Sequence, residues 1–156
     1  HFRQFGFEEG GPEHQGYAAE LEATKDSVRR MREAGIRVLI GGDYGLNITP
    51  HGSYAKELEY FTRDFGFSPA EALQAATKHG GEAFMPGGNL GTLEPGRLAD
   101  MVIVNGNPLD DITVLQNPDN IPVVIKDGQI YAGLLRSGSP YLLAAGDLSP
   151  LLGASA

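Results

Sequence analysis

One carboxylate in this sequence, Asp43, occupies a position typical of a catalytic or metal-binding residue. Asp43 follows a β-branched apolar run, Ile36 to Ile40, and directly follows Gly41 and Gly42. If that run is a strand buried in a parallel sheet, Asp43 lies just beyond its carboxyl end, where barrel enzymes build their active sites. A carboxylate there can ligate a cation or exchange protons with water. From this pattern alone, a residue that only caps a turn is equally compatible.

The other candidate site residues lie in the same predicted loop. His51 could contact a substrate or orient Asp43, although a residue of an ordinary Pro-His-Gly turn is the plainer interpretation. Tyr44 is either a pocket-lining side chain or a packing one. The four histidines, at positions 1, 14, 51 and 79, lie far apart and show no paired-ligand spacing. There is no cysteine, which removes disulfides, thiolate zinc sites and cysteine nucleophiles.

Composition excludes several functional classes. The formal net charge is -8, with no run of Lys or Arg, which argues against nucleic acid or anionic membrane as a partner. No apolar stretch approaches the ~18 residues of a membrane span. The 156 residues suffice for one domain, whereas a complete (β/α)8 barrel takes about 250. His1 opens no apolar signal run, so we interpret the start as an internal cut. The compartment stays unknown, with the cytoplasm favoured.

The elements that must position Asp43 form a simple order. Residues 1 to 17 show no period, and we predict a long loop. An amphipathic helix follows over residues 18 to 34, and Gly35 supplies its stop. The buried strand at 36 to 40 comes next. A second helix over residues 53 to 65 has an apolar, aromatic face of core residues: Tyr54, Leu58, Phe61 and Phe65.

The third predicted helix has the clearest start signal in the chain. Ser68, Pro69 and Glu71 form a capping box with proline at the first helical position. The helix is predicted to continue to Phe84. Helix, strand, loop and two helices is the order of the last α/β step of a parallel barrel or of a layered sheet.

Beyond Met85 the pattern changes to a small β unit. Glu94 to Arg97 fits a type II turn, and Ala99 to Val104 reads as a strand. Asp127-Gly128 predicts a type I′ hairpin turn, and we assign Asp100 to turn hydrogen bonding. The chain is thus divided into barrel-type steps (1–86), part of a small β-sandwich (87–132) and a C-terminal tail (133–156).

Four motifs carry a family resemblance. They are Gly41-Gly-Asp-Tyr-Gly45, Thr49-Pro-His-Gly52, Ser68-Pro-Ala-Glu-Ala-Leu-Gln-Ala-Ala-Thr77 and Gly91-Thr-Leu-Glu-Pro-Gly-Arg-Leu-Ala-Asp100. Together they resemble the C-terminal region of the amidohydrolase superfamily, in its imidazolonepropionase-like and prolidase-like branch. The resemblance runs from about Tyr17 to Tyr131.

That resemblance implies a fold and a ligand. The fold is the C-terminal part of a (β/α)8 TIM barrel plus part of a small β-sandwich built from both ends of the chain. In the family, the aspartate after the eighth barrel strand binds a metal and exchanges protons with the attacking water, and Asp43 matches it. The family's other ligands, a His-x-His pair, a carboxylated Lys or Glu and two further histidines, have no counterpart here. The remaining N-terminal part of the barrel, in the same or another chain, must supply them.

The resemblance therefore implies a metal-dependent hydrolase of amide, peptide or cyclic amide C–N bonds. Asp43 would be its catalytic and metal-binding residue, and Tyr44 and His51 would contact the substrate. Zinc is the expected cofactor, although manganese or iron would suit similar ligands. We expect a homo-oligomer whose 1–17 loop covers the barrel mouth. A deaminase on the same scaffold and a non-catalytic barrel module are the alternatives.

Overall fold

A computed structural model describes residues 6–46 and 49–132. Within these residues, helices come first and strands follow: α1 (Pro12–Glu33), α2 (Lys56–Asp64), α3 (Pro69–Ala76), α4 (Lys78–Phe84), β1 (Met101–Ile103), β2 (Val123–Lys126) and β3 (Gln129–Ala132). Two short 3₁₀ helices, Ile112–Gln116 and Pro118–Asn120, separate β1 from β2. The predicted tail at 133–156 lies outside the described residues. None of the described helices has the length and apolar character needed to cross a membrane.

Helix α1 begins earlier than its apolar pattern predicted. The predicted loop over residues 1–17 is wrong from Pro12 onward, because Pro12 occupies the first helical position after Gly11. Proline is suited to that position, since its missing N–H would have had no helical partner. The predicted stop is confirmed: Gly35 has a φ of +74°, the left-handed conformation typical of helix ends.

Arg32 joins the end of α1 to the helices that follow. Its guanidinium donates hydrogen bonds to the backbone carbonyls of Phe65 (3.2 Å) and Gly66 (2.6 Å). It also pairs with Glu71 at 2.9 Å and stacks 4.1 Å from the centre of the Phe67 ring. No α1 residue is buried within the described part of the chain, so polar contacts such as these attach the helix.

The predicted strand at residues 36–40 is not a strand in this chain by itself. A strand needs a hydrogen-bonded neighbour, and no other described segment pairs with this one. Val38 and Ile40 pack against the helical core. Ile36 and Leu39 remain 56% and 38% exposed. The segment is therefore covered only in part, whereas burial on both faces was expected.

One hydrophobic core links the helices to the β unit. Its buried members are Leu58, Phe61, Ala72 and Ile112. Ile112 belongs to the first 3₁₀ helix, which thereby packs against α2. Next to this contact, Gln116 donates a hydrogen bond to Glu59 of α2 at 2.7 Å. The division of the chain between residues 86 and 87 remains a prediction.

The third predicted helix is two helices. Its start is confirmed, because the Ser68 side chain and Glu71 form both hydrogen bonds of a capping box. The continuous helix to Phe84 is wrong, since the chain bends at Thr77 between α3 and α4. The backbone of Gly91 packs against this bend, where an added Cβ would lie 2.5 Å from the Thr77 carbonyl oxygen.

The β unit is a three-stranded antiparallel sheet in the order β1-β2-β3. The predicted hairpin turn is confirmed, because Asp127 and Gly128 both have positive φ, 51° and 73°. Asp100 accepts a hydrogen bond from the Asp127 N–H at 2.7 Å, which confirms its assignment to turn hydrogen bonding. The first strand is shorter than the predicted 99–104.

Candidate active site

Asp43 stands in an unusual backbone conformation. Its φ is +46°, in the left-handed region that residues with a Cβ rarely occupy. Aspartate and asparagine tolerate this region better than most residues, because their short polar side chains can bond locally. The residue is exposed. The turn therefore presents the Asp43 carboxylate to solvent at the start of the loop before α2.

Thr49 closes this loop onto Asp43. Its hydroxyl donates a hydrogen bond to the Asp43 carbonyl oxygen at 3.0 Å. Its backbone carbonyl accepts from the Gly45 N–H at 2.8 Å, and its own N–H donates to the Leu46 carbonyl at 3.0 Å. Three hydrogen bonds at one residue thus hold the chain on both sides of residues 47 and 48.

Two tyrosines and His51 form a second contact within the loop. The Tyr44 ring meets the Tyr54 ring edge-on, with centroids 4.7 Å apart, and the Tyr44 hydroxyl donates to the Tyr54 carbonyl at 3.2 Å. The Tyr54 hydroxyl lies 2.8 Å from His51 Nδ1. Assigning Tyr54 to the helix core was wrong: it precedes α2, packs on the loop and is 51% exposed.

The loop brings all three candidate residues into one neighbourhood. Tyr44 adjoins Asp43 in the chain, and the ring of His51 lies over Gly45. A Cβ added at Gly45 would lie 3.2 Å from His51 Nε2. Because the Tyr54 hydroxyl occupies Nδ1, Nε2 is the ring nitrogen that remains for another partner. The Tyr54 hydroxyl therefore orients the imidazole through Nδ1, in the way that a neighbouring hydrogen bond often orients a site residue.

Glu57, in the first turn of α2, lies behind the aspartate turn. A Cβ added at Gly42 would lie 2.7 Å from Glu57 Cδ and 2.6 Å from Tyr44 Cε2. Burial raises the pKa of the Glu57 carboxyl above its ordinary value, and hydrogen bonding from the Gly41 backbone opposes that shift. Burial also raises the pKa of Tyr44, with a smaller contribution from the charge of Glu57.

A metal would find one suitable ligand here. The exposed carboxylate of Asp43 is an oxygen donor of the kind that zinc and similar cations accept. Among residues 6–46 and 49–132, no group of three His, Asp or Glu side chains forms a metal site. A catalytic zinc usually takes about three protein ligands plus water. By its chemistry, Asp43 could supply one ligand of such a set.

Sequence reasoning did not single out three residues of this arrangement. The sequence shows Thr49 only as part of a motif, favours a core position for Tyr54 and gives no role to Glu57. The signal for Glu57 was the glycine pair itself, because a residue without a Cβ often marks the close approach of another group. Which group approaches Gly42 depends on how α2 packs, and sequence spacing does not show that.

Comparison with known proteins decides the family. The sequence model of the amidohydrolase family matches residues 17–131, a segment that contains the whole Asp43 loop. The chain belongs to the amidohydrolase family. The mixed helix and strand fold described above is thus a fragment that resembles the TIM-barrel proteins of this family.

Three relatives illustrate what this chain is similar to. Ochratoxinase of Aspergillus niger is 33% identical over 116 residues, which cover 74% of this chain and 24% of that protein. Imidazolonepropionase of Geobacillus kaustophilus is 29% identical over 127 residues, covering 81% and 29%. The crystal structure of a Xaa-Pro dipeptidase with bound methionine aligns with a TM-score of 0.61 at 37% identity, covering 70% and 25%. The chain thus spans about a quarter of the length of the relatives it matches.

Proposed function

We propose that the complete protein is a metal-dependent hydrolase of amide, peptide or cyclic amide C–N bonds. The observation that carries the proposal is the family match across residues 17–131, which includes the loop bearing Asp43. The relatives' names support the same class of reaction, since a Xaa-Pro dipeptidase and an imidazolonepropionase are among them. This chain would supply the last strand of a (β/α)8 barrel, at residues 36–40, and part of a β-sandwich.

In this proposal Asp43 holds the cation and moves the proton. A bound divalent cation, expected to be zinc, would supply acidified water, because it lowers the pKa of water to about 7. The Asp43 carboxylate takes a proton from the attacking water and delivers it to the leaving nitrogen. The left-handed turn and the Thr49 hydrogen bond fix the backbone from which that carboxylate projects.

Tyr44 and His51 are the proposed substrate contacts. The Tyr44 ring is packed against Tyr54, so it can line a pocket wall without losing side-chain freedom on binding. His51 has Nδ1 beside the Tyr54 hydroxyl and can offer Nε2 to a polar group of the substrate. A prolidase complexed with N-methylphosphonate-L-proline is among the similar structures, with a TM-score of 0.63 at 27% identity. Dipeptides ending in proline are therefore the first substrates to test.

The test uses the full-length protein. Metal content is measured by elemental analysis, and hydrolysis is assayed on prolyl dipeptides, N-acyl amino acids and cyclic amides. About one or two equivalents of a divalent cation together with turnover of one of these classes is the expected result. Turnover of aminated heterocycles alone would favour the deaminase. A protein without bound metal and without turnover would favour a non-catalytic barrel module.

A further inference from the structure

The first turn of α2 and the aspartate turn are in direct contact. Gly42 lies between two side chains, the carboxyl group of Glu57 on one side and the ring of Tyr44 on the other. An added Cβ would meet Glu57 Cδ at 2.7 Å and Tyr44 Cε2 at 2.6 Å, both shorter than any normal carbon contact. An added Cβ would force the end of the Glu57 side chain or the Tyr44 ring to shift, so Glu57 packs on the peptide chain itself.

The same helix turn is connected to the loop a second time. The Tyr54 carbonyl accepts hydrogen bonds from the Glu57 N–H at 3.2 Å and from the Tyr44 hydroxyl at 3.2 Å. Glu57 is therefore held at its backbone by the residue that also holds Tyr44. The position of α2 and the position of the aspartate turn are determined together.

We propose that Glu57 is a positioning residue, whose carboxyl group supports Gly42 from behind and thereby fixes the direction in which Asp43 projects. This inference rests on the proposed function, because it assigns Glu57 a task in the same reaction. Glu57 touches no reacting atom and acts through the backbone. Thr49 holds the carbonyl side of Asp43, and Glu57 supports the chain on the side that precedes it.

The Glu57 carboxyl is an unusual group for a merely structural contact. Its Oε2 atom is buried and has no hydrogen-bond partner among the residues that the structure describes. Burying a charged oxygen in this way is costly, and burial raises the pKa of the carboxyl. A neutral side chain of the same shape should therefore serve nearly as well, which makes Glu57→Gln the conservative variant.

The test compares Glu57→Ala and Glu57→Gln in the full-length protein, with Glu33→Ala as the control. Glu33 is an exposed helical glutamate whose ion partner is Arg29, also in α1. Glu57→Ala is expected to lower kcat about 10- to 100-fold with KM changed less than about threefold, because small misplacements of a catalytic group have effects of that size. Glu57→Gln and Glu33→Ala should keep kcat within about threefold.

A second measurement does not depend on activity. Hydrogen exchange, followed by mass spectrometry on a peptide containing Gly41 to Gly45, reports the local opening of the turn. In the Glu57→Ala variant, the amides of this peptide should exchange about tenfold faster than in the wild type. A peptide from α3 should exchange at the wild-type rate. Glu57→Gln should exchange like the wild type in both peptides.

Gly42→Ala provides a variant that keeps Glu57 but displaces it. It should show the same loss of kcat as Glu57→Ala. The control is Gly16→Ala, at a helical position with nothing within 4 Å of the new Cβ, and it should keep the wild-type kcat. If Glu57→Ala does not fold, Gly42→Ala decides the question. If the wild-type protein is an active enzyme and either variant keeps the wild-type kcat, the inference on Glu57 is overturned. The proposed function is not affected by that result. A wild-type protein with neither bound metal nor turnover would overturn the proposed function. The hydrogen-exchange measurement would then still test whether Glu57 supports the turn.

Discussion

The hydroxyl of Thr49 donates a hydrogen bond to the backbone carbonyl of Asp43, with 3.0 Å between oxygen atoms. A neutral hydrogen bond contributes about 1 kcal/mol, so Thr49→Val should lower kcat about fivefold if this bond holds Asp43 in place. Thr49→Ser keeps the hydroxyl and should behave like the wild type. Steady-state kinetics measure both. Thr24→Val is the matched control, because Thr24 donates a comparable 2.8 Å bond within exposed α1. Equal rates in the Val and Ser variants at 49 would contradict the assignment.

Asp43→Asn tests the proposed proton carrier without disturbing the fold. Asparagine tolerates a φ of +46° at least as well as aspartate, so the unfolding midpoint should not fall. The amide cannot take a proton from water, and kcat should fall by about 10²- to 10⁴-fold. Kinetics, metal analysis and thermal unfolding are measured on the same preparation. Asp26→Asn, on exposed α1, is the control. A variant at position 43 that keeps near-normal rates would remove Asp43 from the mechanism.

Tyr54→Phe tests whether the orientation of His51 matters for substrate binding. The change removes the hydroxyl that lies 2.8 Å from His51 Nδ1 and leaves the ring contact with Tyr44 in place. KM should rise about threefold to tenfold while kcat changes little, since one hydrogen bond is lost. His51→Ala should raise KM further, and the double variant should be no worse than His51→Ala. Fully additive effects would show that the two residues act independently. Tyr131→Phe, at a site 73% exposed, is the control.

The capping box of α3 predicts a pH-dependent contribution to stability. Hydrogen bonds from the Ser68 backbone and side chain lower the pKa of Glu71 from its ordinary 4.5. A depressed folded-state pKa stabilises the protein above the unfolded-state pKa, and this contribution is lost as pH falls through the folded-state value. Ser68→Ala should cost about 1 kcal/mol in the free energy of unfolding near pH 7. Denaturant unfolding near pH 7 and near pH 3 measures both effects. Glu71→Gln should lose this pH dependence, and an unchanged dependence would contradict the assignment.

Short-range features of the fold were readable from the sequence because their hydrogen bonds span only a few residues. The Ser68 capping box, the Gly35 helix stop and the Asp127-Gly128 turn all form as predicted. Each depends on a local property, a side-chain oxygen in reach of a free N–H or a residue able to take positive φ. The choice of Asp43 as the candidate site residue rests on its glycine neighbours, on the apolar run before it and on the family resemblance, and it stays a prediction.

Only the tertiary structure decided the features that depend on distant neighbours. The helix predicted through Phe84 breaks at Thr77, where the backbone of Gly91 packs against the chain. Residues 36–40 lack a strand partner among the described residues, since strand pairing is a property of two segments.

The contacts of Glu57 with Gly42, of Thr49 with Asp43 and of Tyr54 with His51 depend likewise on how the loop and α2 close on each other. Composition and periodicity identify which residues can do chemistry. The direction in which Asp43 projects is set by side chains that approach its turn from later in the chain, and sequence spacing does not encode such contacts.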